Sequence, residues 1–156
     1  MTDFQVLANE MLTEEDILLV RKAREALVNA YAPYSSFRVG VALLLDNDLI
    51  LTGTNQENAA YPSGMCAERV ALFNLAAQQP DQPIRKMVVV AQRANSSVLA
   101  PATSCGSCRQ VMLEFEQRQA TPFEILMLYT ANEWIKASSA QSLLPFSFGK
   151  SSLQRP

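Results

Sequence analysis

Apolar positions recur at helical spacing near the start of the chain and at strand-like spacing through its middle, with polar segments between. Thr13, followed by Glu14, Glu15 and Asp16, has the form of an N-cap with an acidic first turn. Ile17, Val20, Leu27 and Tyr31, with Ala23 and Ala26 between them, predict a helical apolar face out to about residue 30. Pro33 ends that helix, since it lacks a donor and its ring clashes with the preceding turn. Residues 39–45 and 49–54 read as two strands joined at Asp46-Asn47-Asp48, a turn-prone triplet suited to a tight hairpin.

Residues 55–65 are polar and contain Pro62 and Gly64, which predicts a loop. From residue 66 to about 77 the pattern is helical and apolar nearly all round, as expected of a helix at the centre of a domain. Residues 87–91 form a continuous apolar strand of the kind covered on both faces. A second loop over 94–104 leads to a helix over about 106–117 and a strand over 123–129. Residues 139–144 can form a last short helix before Pro145. There is no repeat or linker, so residues 1–156 read as a single layered α/β domain.

A chain of 156 residues, 49 % of them apolar, is long enough to bury a full core. Thirteen Lys and Arg stand against fifteen Asp and Glu, a net charge of -2. That balance lacks the positive stripe needed to grip a nucleic-acid backbone, so no polymer partner is expected. Residues 1–9 carry no basic, apolar signal pattern, and charges such as Asp46 and Asp48 break the apolar runs short of membrane-spanning length. A soluble, cytoplasmic protein with no membrane partner is the expectation.

Three cysteines make an odd count, which disfavours a closed disulfide framework. Cysteines are most often just small buried hydrophobes. Their placement argues otherwise here. Cys66 opens one helix, while Cys105 and Cys108 straddle the start of another in a C-x2-C pair that lets both sulfurs face one ion. A helix N-terminus favours negative charge, so these thiols are placed to exist as thiolates. The chain has no His and no fourth Cys. Three ligands with one position left open is the pattern of a catalytic rather than a structural Zn2+. Glu68, two residues after Cys66, is placed to move a proton beside that ion, although taken alone it would read as a solvated helix residue. Arg69 reads either as a surface side chain or as a guanidinium that softens the net negative charge of three thiolates on Zn2+.

The segments Cys66-Ala67-Glu68-Arg69 and Cys105-Gly106-Ser107-Cys108-Arg109-Gln110 resemble the signature of the small cytidine deaminases. Further matches are Ala32-Pro33-Tyr34-Ser35, Phe37 with Val39-Gly40, residues 55–61 (NQENAAY) and residues 143–149 (LLPFSFG). Together they run over residues 13–149.

The resemblance implies a three-layer α/β/α sandwich around a mixed five-stranded sheet, in which a fifth strand would fall around residues 133–137. It implies hydrolysis of cytidine or deoxycytidine to uridine or deoxyuridine and ammonia. Cys66, Cys105 and Cys108 would hold the zinc, Glu68 would carry the protons, and Arg69 would temper the charge at the sulfurs. Among nucleoside contacts it implies the Thr103 carbonyl for the leaving amine, the Ala67 amide for the base oxygen, and Asn55 with Glu57 for the ribose 3'-hydroxyl. Phe37 would pack on the base and Tyr61 would form part of the wall. Phe148 would reach into a neighbouring subunit's site within a homotetramer.

Two residues depart from the family pattern. Ser104 stands where proline usually precedes the first Cys of the pair, and Gln56 stands where an apolar residue is commoner. Two other readings share the cysteine motifs. One is a deaminase of a modified cytosine nucleoside, of the blasticidin type. The other is a zinc-stabilised binding module without turnover.

Overall fold

The computed structural model describes residues 3–153. Among them three α-helices pack on a six-stranded sheet. The strands are β1 (Phe4–Ala8), β2 (Phe37–Leu45), β3 (Ile50–Thr54), β4 (Ile84–Arg93), β5 (Glu124–Leu128) and β6 (Glu133–Ala137). The helices are α1 (Glu14–Ala26), α2 (Ala67–Gln78) and α3 (Gly106–Gln119). Sheet order is β1-β6-β5-β4-β2-β3. Only β4 and β5 run parallel, because α3 carries the chain back between them; the remaining neighbours are antiparallel.

Alternation along the central strands builds two cores. Val41, Leu43, Met87, Val89, Ile125 and Met127 point to the face covered by α2 and α3. Ala42, Leu44, Val88, Val90, Leu126 and Leu128 point to the face covered by α1. The result is the expected three-layer α/β/α sandwich with a mixed sheet. Two glycines set the layer spacing. A Cβ at Gly40 would lie 2.2 Å from the Ala23 carbonyl oxygen on α1, and one at Gly53 would lie 2.5 Å from the Ala71 nitrogen on α2.

The sheet has six strands rather than five. The additional one, β1, pairs with β6 from Phe4↔Ala137 to Ala8↔Glu133, and only Leu7 within it is buried. Strand β6 falls at residues 133–137 as expected, anchored by buried Trp134 and Ala137. The inward face of α1 also differs from the expectation. Leu19, Ala23, Ala26 and Leu27 turn to the core, while Ile17 is 56 % and Tyr31 54 % exposed.

The residue that rotates α1 is Asp16, which is fully buried. Thr13 and Asp16 form a capping box, each side chain accepting the other's backbone N–H at 3.1 Å. Lys86, from the sheet interior, donates to Asp16 at 2.8 Å and pairs with Glu15 and Glu124 at 2.9 Å each. Burial alone would raise the Asp16 pKa, but the bonds from Lys86 and Thr13 outweigh it and hold the group at about 2.

A depressed carboxylate pKa stabilises the fold above its unfolded value, near 3.9, and the stabilisation is lost as pH falls toward 2. The magnitude is about 2 kcal/mol. Asp16→Asn is therefore expected to unfold at lower urea than the parent at pH 7, with the gap narrowing below about pH 4. A gap that stays constant down to pH 2 would show that the charge on Asp16 contributes nothing.

Candidate active site

The loops after β3 and β4 deliver the N-termini of α2 and α3 to one place. Cys66 is the N-cap of α2 and Cys105 the N-cap of α3, with Cys108 in the first turn of α3. Their three Sγ atoms lie within 4.8 Å of one another. Zn–S bonds of about 2.3 Å at tetrahedral angles put sulfurs roughly 3.8 Å apart, so this trio fits one ion. Cys66 is half-buried, Cys105 exposed and Cys108 buried, leaving the group open on one side.

A hydrogen bond from Cys108, aided by Arg69, holds the Cys66 thiol down at about 5. The Cys108 thiol is pushed well above the ordinary range by its bond to Cys66, by burial and by the nearby Glu68 carboxylate. Only part of the expected ionisation is thus intrinsic to the helix ends; binding a dication must expel the remaining protons. Arg69 Nη2 donates to Cys66 Sγ at 3.6 Å, and hydrogen bonding to the Cys66 sulfur, with a lesser one to Cys108, raises its own pKa. The Arg69 guanidinium thus lies against sulfur, partly buried.

A cavity of about 430 Å³ opens from the sulfurs. Phe37, Asn55, Glu57, Tyr61, Ala67, Glu68, Arg69 and Thr103 line it together with Cys66 and Cys105. Glu68 is 5 % exposed, held in the first turn of α2 facing this space rather than bulk solvent. Asn55 sits just past β3 and ties the start of β2, accepting from Val39 N–H at 2.8 Å and donating to the Phe37 carbonyl at 2.9 Å. Glu57 accepts from the Ser35 hydroxyl and from the Tyr34 amide at 2.9 Å, and these bonds lower its pKa. Tyr61 lies at the rim, 78 % exposed, edge-on to Tyr34 at 6.1 Å. Phe148 lies outside the cavity of its own chain and is 59 % exposed.

Both departures from the family pattern find partners in the structure. Gln56 donates to the Asn29 carbonyl at 3.2 Å and to Thr54 Oγ1 at 3.1 Å, bracing the turn between Asn55 and Glu57. The Ser104 amide donates to Met127 Sδ at 3.3 Å, and its carbonyl accepts from Arg109 Nε at 2.8 Å. The peptide groups on both sides of Ser104 are thus held by contacts from β5 and α3. Arg109, marked in the sequence only by its place in the Cys105–Gln110 signature, thereby shapes the site through the Ser104 carbonyl.

The Ser104 hydroxyl is buried and has no partner among the described residues. An unmet hydroxyl costs roughly 1–3 kcal/mol. Ser104→Ala is accordingly expected to raise thermal stability by about 1 kcal/mol, a shift of roughly 2–4 °C in Tm. A fall in Tm would show that the hydroxyl is satisfied.

Residues 13–122 match the cytidine and deoxycytidylate deaminase zinc-binding region. The chain belongs to this deaminase family. Similar relatives include a cytidine deaminase of Sporosarcina psychrophila, 35 % identical over 135 residues that cover 86 % of this chain and 92 % of the relative. Another, a cytidine deaminase of Halalkalibacterium halodurans, is 41 % identical over 97 residues, 62 % of this chain and 69 % of that one. The crystal structure of a cytidine deaminase from Burkholderia pseudomallei superposes with a TM-score of 0.70 at 34 % identity, covering 88 % of this chain and all of the other. Zinc is the metal of this deaminase, since the matched region is the family's zinc-binding region and the three sulfurs fit one tetrahedral ion. The reading as a binding module without turnover falls with the family assignment.

Proposed function

We propose that this deaminase hydrolyses cytidine and deoxycytidine to uridine and deoxyuridine with release of ammonia, in cytoplasmic pyrimidine salvage. The observation that carries this reading is the buried Glu68 carboxylate at the sulfur end of the 430 Å³ cavity, with polar groups at the other end for a sugar. Zinc, when bound, would supply the Lewis acidity that lowers the pKa of water toward 7.

The chain's own residues supply the rest. Cys66, Cys105 and Cys108 hold the metal, and Arg69 hydrogen-bonds the Cys66 sulfur and offsets part of the thiolate charge. Glu68 takes a proton from water and passes it to ring N3 as the oxygen adds to C4. Glu68 then takes the second water-derived proton from the hydroxyl at C4 and delivers it to the amine, so that the C4–N bond breaks as C4=O forms and ammonia leaves beside the Thr103 carbonyl. The Ala67 amide, at the positive end of α2, meets the base oxygen. Phe37 packs on the ring, and Asn55 and Glu57 receive the 3'-hydroxyl. Because Asn55 and Glu57 are already fixed by backbone bonds, the sugar meets prearranged partners.

A free nucleoside suits this cavity better than a polymer or a nucleotide. Among the described residues Arg69 is the one cationic side chain lining it and is committed to sulfur, while Glu57 at the mouth is anionic. The net charge of -2 agrees with that choice.

The assembly we favour is a homotetramer in which Phe148 closes a neighbouring subunit's site. The exposed Phe148 ring, outside its own cavity, supports it. Phe148→Ala is expected to raise KM for cytidine about 3- to 10-fold with zinc retained, the scale of one aromatic contact.

The test of the reading is ammonia release from cytidine, cytidine 5'-phosphate and a cytosine-containing oligonucleotide. Turnover of cytidine far above the other two is expected; equal or faster turnover of either would refute the substrate assignment.

A further inference from the structure

After β6 the chain leaves the sheet and runs as a strap along α3. Side chains of that helix hold the strap by its backbone. Arg109 Nη1 donates to the Leu143 carbonyl at 3.4 Å, Gln110 Nε2 donates to the Phe148 carbonyl at 2.7 Å, and Gln117 Oε1 accepts from the Lys150 amide at 3.1 Å. At Gly149 the strap comes close enough to the helix that a Cβ would lie 2.8 Å from the end of the Gln117 side chain. The Phe148 carbonyl is therefore fixed while its ring projects outward, 59 % exposed.

Helix α3 is also the helix that carries Cys108, with Cys105 at its N-cap. Gln110 lies two residues beyond Cys108, so one short stretch of helix holds a sulfur ligand and the backbone of the presented ring.

We propose that Gln110 is a positioning residue for substrate binding: its amide fixes the Phe148 backbone to the metal-bearing helix and so preorganises the ring for a neighbouring subunit's cavity. This rests on the composite-site reading of Phe148. Without the bond the strap between Leu144 and Gly149 gains backbone freedom, and ordering it again draws on binding free energy. The loss falls on substrate capture. Gln110 touches neither substrate nor sulfur, so kcat and metal content stay where they are.

The test is a double-mutant cycle read by steady-state kinetics on cytidine, with zinc content and thermal melts on the same samples. Gln110→Ala and the isosteric Gln110→Glu, which has no donor for a carbonyl, are each combined with Phe148→Ala. Each Gln110 variant alone is expected to raise KM roughly three- to tenfold, the scale of one net hydrogen bond, with kcat within about twofold and one zinc per chain. In the Phe148→Ala background neither should raise KM further. If Phe148→Ala raises KM but the Gln110 variants do not, or add the same increment in both backgrounds, the role of Gln110 is overturned. If Phe148→Ala itself leaves KM unchanged, the composite site fails and this proposal with it. Should Gln110→Ala fold poorly, Gln110→Glu decides alone.

Discussion

Exchange of Glu68 for Gln is expected to leave fold and metal in place and to lower kcat at least about a hundredfold, the usual scale for losing a general acid–base group. The two side chains are the same size and the residue is 5 % exposed in the first turn of α2, so packing is preserved. What is lost is an oxygen able to take a proton from water and return it to the base. Zinc content is expected to remain at one per chain, because Glu68 is not among the three grouped sulfurs. Near-normal kcat in Glu68→Gln, measured as uridine formation at saturating cytidine, would remove the carboxylate from the proton path.

The second large effect belongs to Cys108. Cys108→Ala removes the buried member of the three cysteines and leaves Cys66 and Cys105, with no His or fourth Cys in the sequence to replace it. Two thiolates cannot complete a tetrahedral site, so purified Cys108→Ala is expected to carry far less than one zinc per chain and to lose turnover with it. Cys108 also packs in the core between α2 and α3, so the variant should melt at lower temperature as well. Full zinc occupancy in this variant, by elemental analysis, would contradict the three-sulfur site.

The chemistry of the site was easier to read than the frame that carries it. Three cysteines at two helix starts, with Glu68 and Arg69 one turn inward, could be placed around one point because helix N-caps are local features with local signals. Edges and charges inside the sheet were harder. Strand β1 buries a single side chain and pairs on one side, so its pattern hardly differs from an exposed terminus. The continuous apolar run over residues 87–91 marks only the middle of β4, since Lys86 interrupts the apolar pattern. The strand runs from Ile84 because Lys86 meets three carboxylates contributed by α1 and β5. The same cluster turned α1 so that Asp16 rather than Ile17 faces inward. An acid that looks like a first-turn helix residue gives no hint of a partner 70 positions away.

The most direct measurement is reconstitution. Protein stripped with a chelator and titrated with Zn2+ is expected to recover ammonia release from cytidine in proportion to metal, levelling off at one ion per chain. Full activity in metal-free protein, or a plateau at two ions per chain, would contradict a single three-sulfur catalytic site.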